Sequence, residues 1–240
     1  MAFSNSTYQM PPWLRPAAQR LSPTIRTLVV VMVVPWLLYV LVAPARGLVD
    51  DYLALGPGVM RGQVWQIVTA MFVDRNPLAF LNLVGLWFVG AAIERTLGRR
   101  RFLIVFFVPG LAANLVVALL SAWRGRWALY SGCGDSVLGL FVGLAVLYGP
   151  AQVRVIGTLA MPARALAAIF VGLALIGAAA YGAWPAMFGT MVAVCLAYRL
   201  CGGRGRDLRE LASWLQRKIG QRRWRVMDGG RAGRGPSRFN

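Results

Sequence analysis

The sequence predicts an all-α membrane fold, a bundle of six transmembrane helices. Hydrophobic residues make up 58% of the 240 residues, more than the roughly half of an ordinary soluble domain. Most of them fall in runs of about 16–20 residues, the length a bilayer-spanning helix requires. These runs carry almost no polar face, which a helix packed on a soluble core would show.

Residues 1–26 are rich in Ser and Pro and read as a cytoplasmic N-terminal segment without a cleavable signal. The first span is expected at 27–42. A long segment, 47–77, follows with Gly, Pro and two aromatic and apolar patches. The second span is read at 78–97, closed by Gly98 and three arginines. The third covers 102–120, with Pro109 and Gly110 as an expected kink. Trp123, Trp127 and Tyr130 in the next loop suit an interfacial position. A short fourth span is expected at 135–148, a fifth at 163–181 and a sixth at 184–200. The membrane domain is thus 27–201. The remainder, 202–240, is a basic cytoplasmic tail in which Leu208, Leu211, Trp214, Leu215 and Ile219 share one side of a helix. That helix is either a solvated tail or a surface for anionic lipid headgroups.

Lys and Arg number 26 against 8 acidic residues, a net charge of +18. Nucleic acid is the usual reading of so basic a chain, but the placement of the charges favours topology. With six spans and a cytoplasmic N-terminus, 21 of the 26 fall on the inside, 12 of them from Arg199 onward. Only Arg46, Arg61, Arg75, Arg124 and Arg126 fall outside. This is the positive-inside pattern, with both termini cytoplasmic, and a bacterial inner membrane is the expected location.

Histidine is absent and Lys218 is the only lysine. The commonest general base and metal ligand is therefore missing. Cys133, Cys195 and Cys201 form no CxxC pair or metal-ligand spacing and read as small apolar residues. No cofactor or metal is expected.

The approach to the second span contains Arg61, Trp65, Gln66, Thr69 and Phe72. The span itself carries Leu78, Asn82, Gly90, Glu94, Leu97 and Gly98. The fourth is entered through Gly132, Cys133, Gly134 and Asp135, with Gly139 downstream, and the sixth reads Trp184, Pro185, Ala186, Met187, Phe188, Gly189. In order and spacing these motifs resemble the rhomboid family of intramembrane serine proteases over about 27–201. Gln66 stands where the family usually has Arg. The resemblance implies an oxyanion-stabilising amide at Asn82 and a family His at Leu78. It places the nucleophile at Gly134 and the catalytic His at Ala186.

Those positions hold residues that cannot perform the reaction, which needs a Ser nucleophile and an imidazole to take its proton. Ser131 and Ser136 flank the site without any His. Lys218 lies on the tail, and Cys133 lacks an activating partner. Asp135 is either an intramembrane functional carboxylate or, as the ordinary reading has it, a cap on the fourth span. Glu94 is expected at the far, cytoplasmic end of the second span, too remote to pair with it. Asn82 is read first as an interhelical hydrogen-bonding residue. The small residues Gly139 and Gly143, and Gly189, Ala193 and Ala197, are expected to pack the fourth span against the sixth.

The vestigial site is therefore Leu78, Asn82, Gly134, Asp135 and Ala186, in a catalytically inactive member, a pseudoprotease. The expected function is non-proteolytic binding of the transmembrane helices of clients. A structural subunit of a larger membrane complex is the alternative, and an active protease by another route a third. The expected partners are the bilayer and other transmembrane helices, and not nucleic acid.

Overall fold

A computed structural model describes residues 22–76, 79–149, 151–154 and 160–202. The expectations for the N-terminal segment, for Leu78 and for the tail helix lie outside them. All the described residues belong to one compact unit, Met1–Gly202.

Six long helices carry this unit: α1 (Pro23–Leu41), α2 (Phe80–Leu97), α3 (Arg99–Arg124), α4 (Gly134–Tyr148), α5 (Ala163–Ala180) and α6 (Trp184–Leu200). The first begins four residues before the apolar run, because Ser22 Oγ accepts the Thr24 N–H and Pro23 is preset for the first turn. Its buried residues Thr24, Ile25, Leu28 and Met32 follow the helical repeat, while Val30, Val34, Leu37 and Leu41 are exposed. An apolar face turned away from the protein is what a lipid solvent requires.

The first, second, third and fifth helices are long and apolar enough to cross a membrane; α4 and α6 are apolar but shorter, at 15 and 17 residues. The shortness of α4 goes with its central position. Every residue from Asp135 to Leu144 is buried, so protein rather than lipid surrounds it. α2 includes a π-helical turn at Leu86–Gly90, with Gly85 beside Val137 and Phe141 of α4. α3 runs through Pro109 and Gly110 as one helix. A Cβ at Gly110 would collide with Ser136 Oγ of α4, so this glycine sets a close approach between the two helices.

The small-residue stripes pack as expected. A Cβ at Gly139 would lie 3.4 Å from that of Ala197, and one at Gly143 would press on Cys201 Sγ. Gly189 also brings α6 against α3, where a Cβ would stand 3.0 Å from the Ala113 carbonyl oxygen.

The sequence reading contained no strand, yet Gln152–Arg154 pairs antiparallel with Ala160–Pro162 between α4 and α5. Strands of three residues are too short for alternation to reveal. The segment between α1 and α2 is more ordered than a loop reading suggests: helical turns occur at Ala45–Leu48, Val49–Leu53, Pro57–Arg61 and Gln66–Thr69. Its residues Leu55 and Ala70 form a second small core with Val117 and Ala118 of α3.

Candidate functional site

The α1–α2 segment is tied together by side chains that bond its own backbone. Buried Gln66, which replaces an arginine of the resembled pattern, accepts the Gly56 N–H at 3.2 Å. Its amide donates to the Asp51 carbonyl at 2.9 Å and to Gln63 Oε1 at 2.7 Å. Thr69 Oγ1 donates to the Leu53 carbonyl and Trp65 Nε1 to the Tyr52 carbonyl. A neutral amide performs this role without burying a charge that has no counter-ion.

The segment then holds the entrance to α4. Leu55 and Tyr130 exchange backbone hydrogen bonds of 2.8 and 2.9 Å. The Gly132 N–H donates to the Ala70 carbonyl at 2.8 Å. Gly132 has φ +112°, and a Cβ there would lie 2.7 Å from Asp74 Oδ2. Both conformation and space therefore require glycine.

At the start of α4, Asp135 is buried and both its oxygens accept from other segments. Tyr130 Oη donates to Oδ2 at 2.5 Å, and Thr190 Oγ1, on α6, donates to Oδ1 at 2.7 Å. The expected cap gives way to a bridge that ties α4 to α6 and to the preceding loop. The Tyr130 hydroxyl points inward to this carboxylate. Ala186 precedes Thr190 by one helical turn and so lies on the same side of α6.

Asn82 and Gly134 come together: among the described residues a Cβ built on Gly134 would meet only Asn82 Nδ2, at 3.9 Å. The Asn82 amide donates to Asp74 Oδ2 at 3.3 Å. Asn82 thus bonds the loop before its own helix rather than another helix. Asp74 was missed in the sequence, where a lone acidic residue before a span carries no distinguishing pattern. Its other oxygen accepts the Asn76 N–H at 3.1 Å. Burial raises the Asp74 pKa above the usual carboxylate value, against the opposing effect of the Asn76 and Asn82 hydrogen bonds. Burial also pushes the Tyr130 phenol upward, reinforced by the neighbouring Asp135 carboxylate.

The chemistry open to this arrangement is narrow. Burial and the nearby Asp74 push the Cys133 thiol up to about 12, so it stays protonated and a poor nucleophile. Ser136 Oγ is buried with no hydrogen-bond partner among the described residues, so no base hydrogen-bonds it there. Asp74 and Asp135 are each engaged by other donors and do not hydrogen-bond one another, so they form no proton-sharing dyad. Glu94 accepts from Ser22 Oγ at 2.7 Å, at the opposite end of α2 from Asn82.

Residues 26–200 match the family described as Eukaryotic integral membrane protein (DUF1751). The chain is also similar to Rhomboid-like protease 3 of Toxoplasma gondii, 29% identical over 93 residues, which are 38% of this chain and 34% of that protein. It resembles the Rhomboid protease GluP of Bacillus subtilis (strain 168) at 29% over 102 residues, 42% of this chain and 20% of the relative. The chain thus spans about a third and a fifth of these relatives' lengths. With a family match running from the start of α1 to the end of α6, the chain belongs to this DUF1751 family of integral membrane proteins and is rhomboid-like.

Proposed function

We propose that this protein is a rhomboid-like pseudoprotease that binds transmembrane helices of partner proteins without cleaving them. In this reading all six helices cross the bilayer, and both termini lie on the Arg-rich cytoplasmic side. The observation that carries it is the state of the site. The position matching the family nucleophile is Gly134, beside Asn82. The neighbouring polar groups Asp135, Tyr130 and Thr190 are consumed by one another. With no histidine in the chain, no imidazole can activate a hydroxyl.

The test has two arms. Incubation of the membrane-embedded protein with a fluorophosphonate probe should leave it unlabelled, and labelling of Ser131 or Ser136 would overturn the non-proteolytic reading. Gentle-detergent purification after crosslinking in membranes should recover transmembrane partners in varying amounts. A single stoichiometric companion would identify a subunit of a fixed complex instead, and the absence of any partner would sink the client-binding proposal.

A further inference from the structure

An open groove of about 260 Å3 lies between the end of α3 and the start of α6, far from the Glu94 end of the bundle. Leu120, Trp123, Trp184, Pro185 and Phe188 supply apolar and aromatic walls, and Arg124 stands at the rim. Three features of this groove belong together. First, it sits where α3 ends and α6 begins, which is the level where hydrocarbon gives way to headgroups if both helices cross the bilayer. Second, Trp123 is 84% exposed and Trp184 and Phe188 are each 49% exposed, and indole rings favour this depth because one edge is apolar and the other can hydrogen-bond. Third, Arg124 is exposed and has no ion-pair partner among the described residues.

An unpaired guanidinium beside an apolar trough calls for an occupant that is anionic at one end and hydrocarbon at the other. We infer that the groove seats a membrane phospholipid, its phosphate on Arg124 and an acyl chain along Trp184 and Phe188. Guanidinium geometry suits this role, because two parallel N–H groups can bond two phosphate oxygens. An apolar transmembrane segment would fill the walls equally well, but it answers the charge at the rim only if it also carries a carboxylate at that depth, whereas every anionic phospholipid presents both parts together. The inference rests on the six-crossing arrangement proposed above but not on the non-proteolytic reading, because no residue of the groove belongs to the Asp135 site.

Native mass spectrometry of the full-length protein tests it, with added phosphatidylglycerol and, separately, a diacylglycerol of the same acyl chains. Wild type should retain phosphatidylglycerol in preference to diacylglycerol. Arg124→Gln should weaken phosphatidylglycerol retention by about tenfold, the scale of a charge-assisted hydrogen-bonded pair, and leave diacylglycerol unchanged. Phe188→Ala should weaken both. Arg126→Gln removes a neighbouring exposed cation that does not line the groove and should have no effect. Equal losses from Arg124→Gln and Arg126→Gln would mean diffuse surface charge and overturn the site, as would a wild type that retains neither lipid. A photo-crosslinking residue in place of Phe188 should label lipid in membranes. A stoichiometric protein adduct there would replace the lipid with a polypeptide occupant.

Discussion

Asp135 accepts one hydroxyl from the loop before its helix and one from α6, so a single carboxylate joins three segments at the position next to Gly134. Removing one donor leaves a buried oxygen without its partner. Thr190→Val should therefore cost about 1–3 kcal/mol in chemical unfolding. In an Asp135→Ala background the same change should cost less, with a coupling of about 0.5–3 kcal/mol; additive effects would show that the bridge does not hold the helices. Asp74 offers a pH-dependent counterpart. Its native pKa is raised by burial, so the unfolded chain loses this proton first as pH rises. The stability from the buried neutral form is complete below the ordinary value of about 3.9 and lost as pH rises through the native pKa. The melting temperature of wild type minus that of Asp74→Asn should fall as pH rises above about 4, and a difference that rises instead would contradict the burial of this group. Gly134, Asp135 and Ala186 were singled out in the sequence by the resemblance of their motifs to the rhomboid pattern. The partners Tyr130, Thr190 and Asp74 were not, because hydroxyls and a loop carboxylate have no local signature until packing brings them together.

Among the elements, helix contacts depend on which glycines face a neighbour. Gly189 faces the backbone carbonyl of Ala113, which cannot move aside as a side chain end can. Gly189→Leu should destabilise the protein by at least about 1–3 kcal/mol through overpacking. Gly172 on α5 has nothing within 4 Å of where a Cβ would stand, and Gly172→Ala should be neutral or stabilise by up to about 1 kcal/mol through helix propensity. Thermal unfolding in one detergent compares them directly. Spacing in the sequence revealed the stripe on α6 and its match to α4. It did not show that the same stripe also presses on α3, because a small-residue pattern gives the face of a helix that packs closely and not the number of neighbours sharing that face.

At the scale of the whole molecule, the charge distribution makes a topological prediction. Reporters fused to the N- and C-termini should both lie on the cytoplasmic side; opposite sides would remove a crossing and leave α4 or α6 as a non-spanning element. The two shorter helices are the ones this experiment bears upon. The sequence by itself determined that the chain is a helical membrane protein, because run length and hydropathy answer to the bilayer and can be read one residue at a time, and the order of its motifs carried the resemblance to the rhomboid plan. It also determined that these 240 residues supply no imidazole, since an absent residue type is absent in any alignment. Only the tertiary structure decided what occupies that place: a carboxylate bridged to Tyr130 and Thr190 rather than capping its helix, and Asn82 turned toward Asp74 beside Gly134. These are contacts between residues far apart in the chain. Each polar group could have been satisfied locally, and only the packing of α4 against α6 and the α1–α2 segment makes the distant partner the available one.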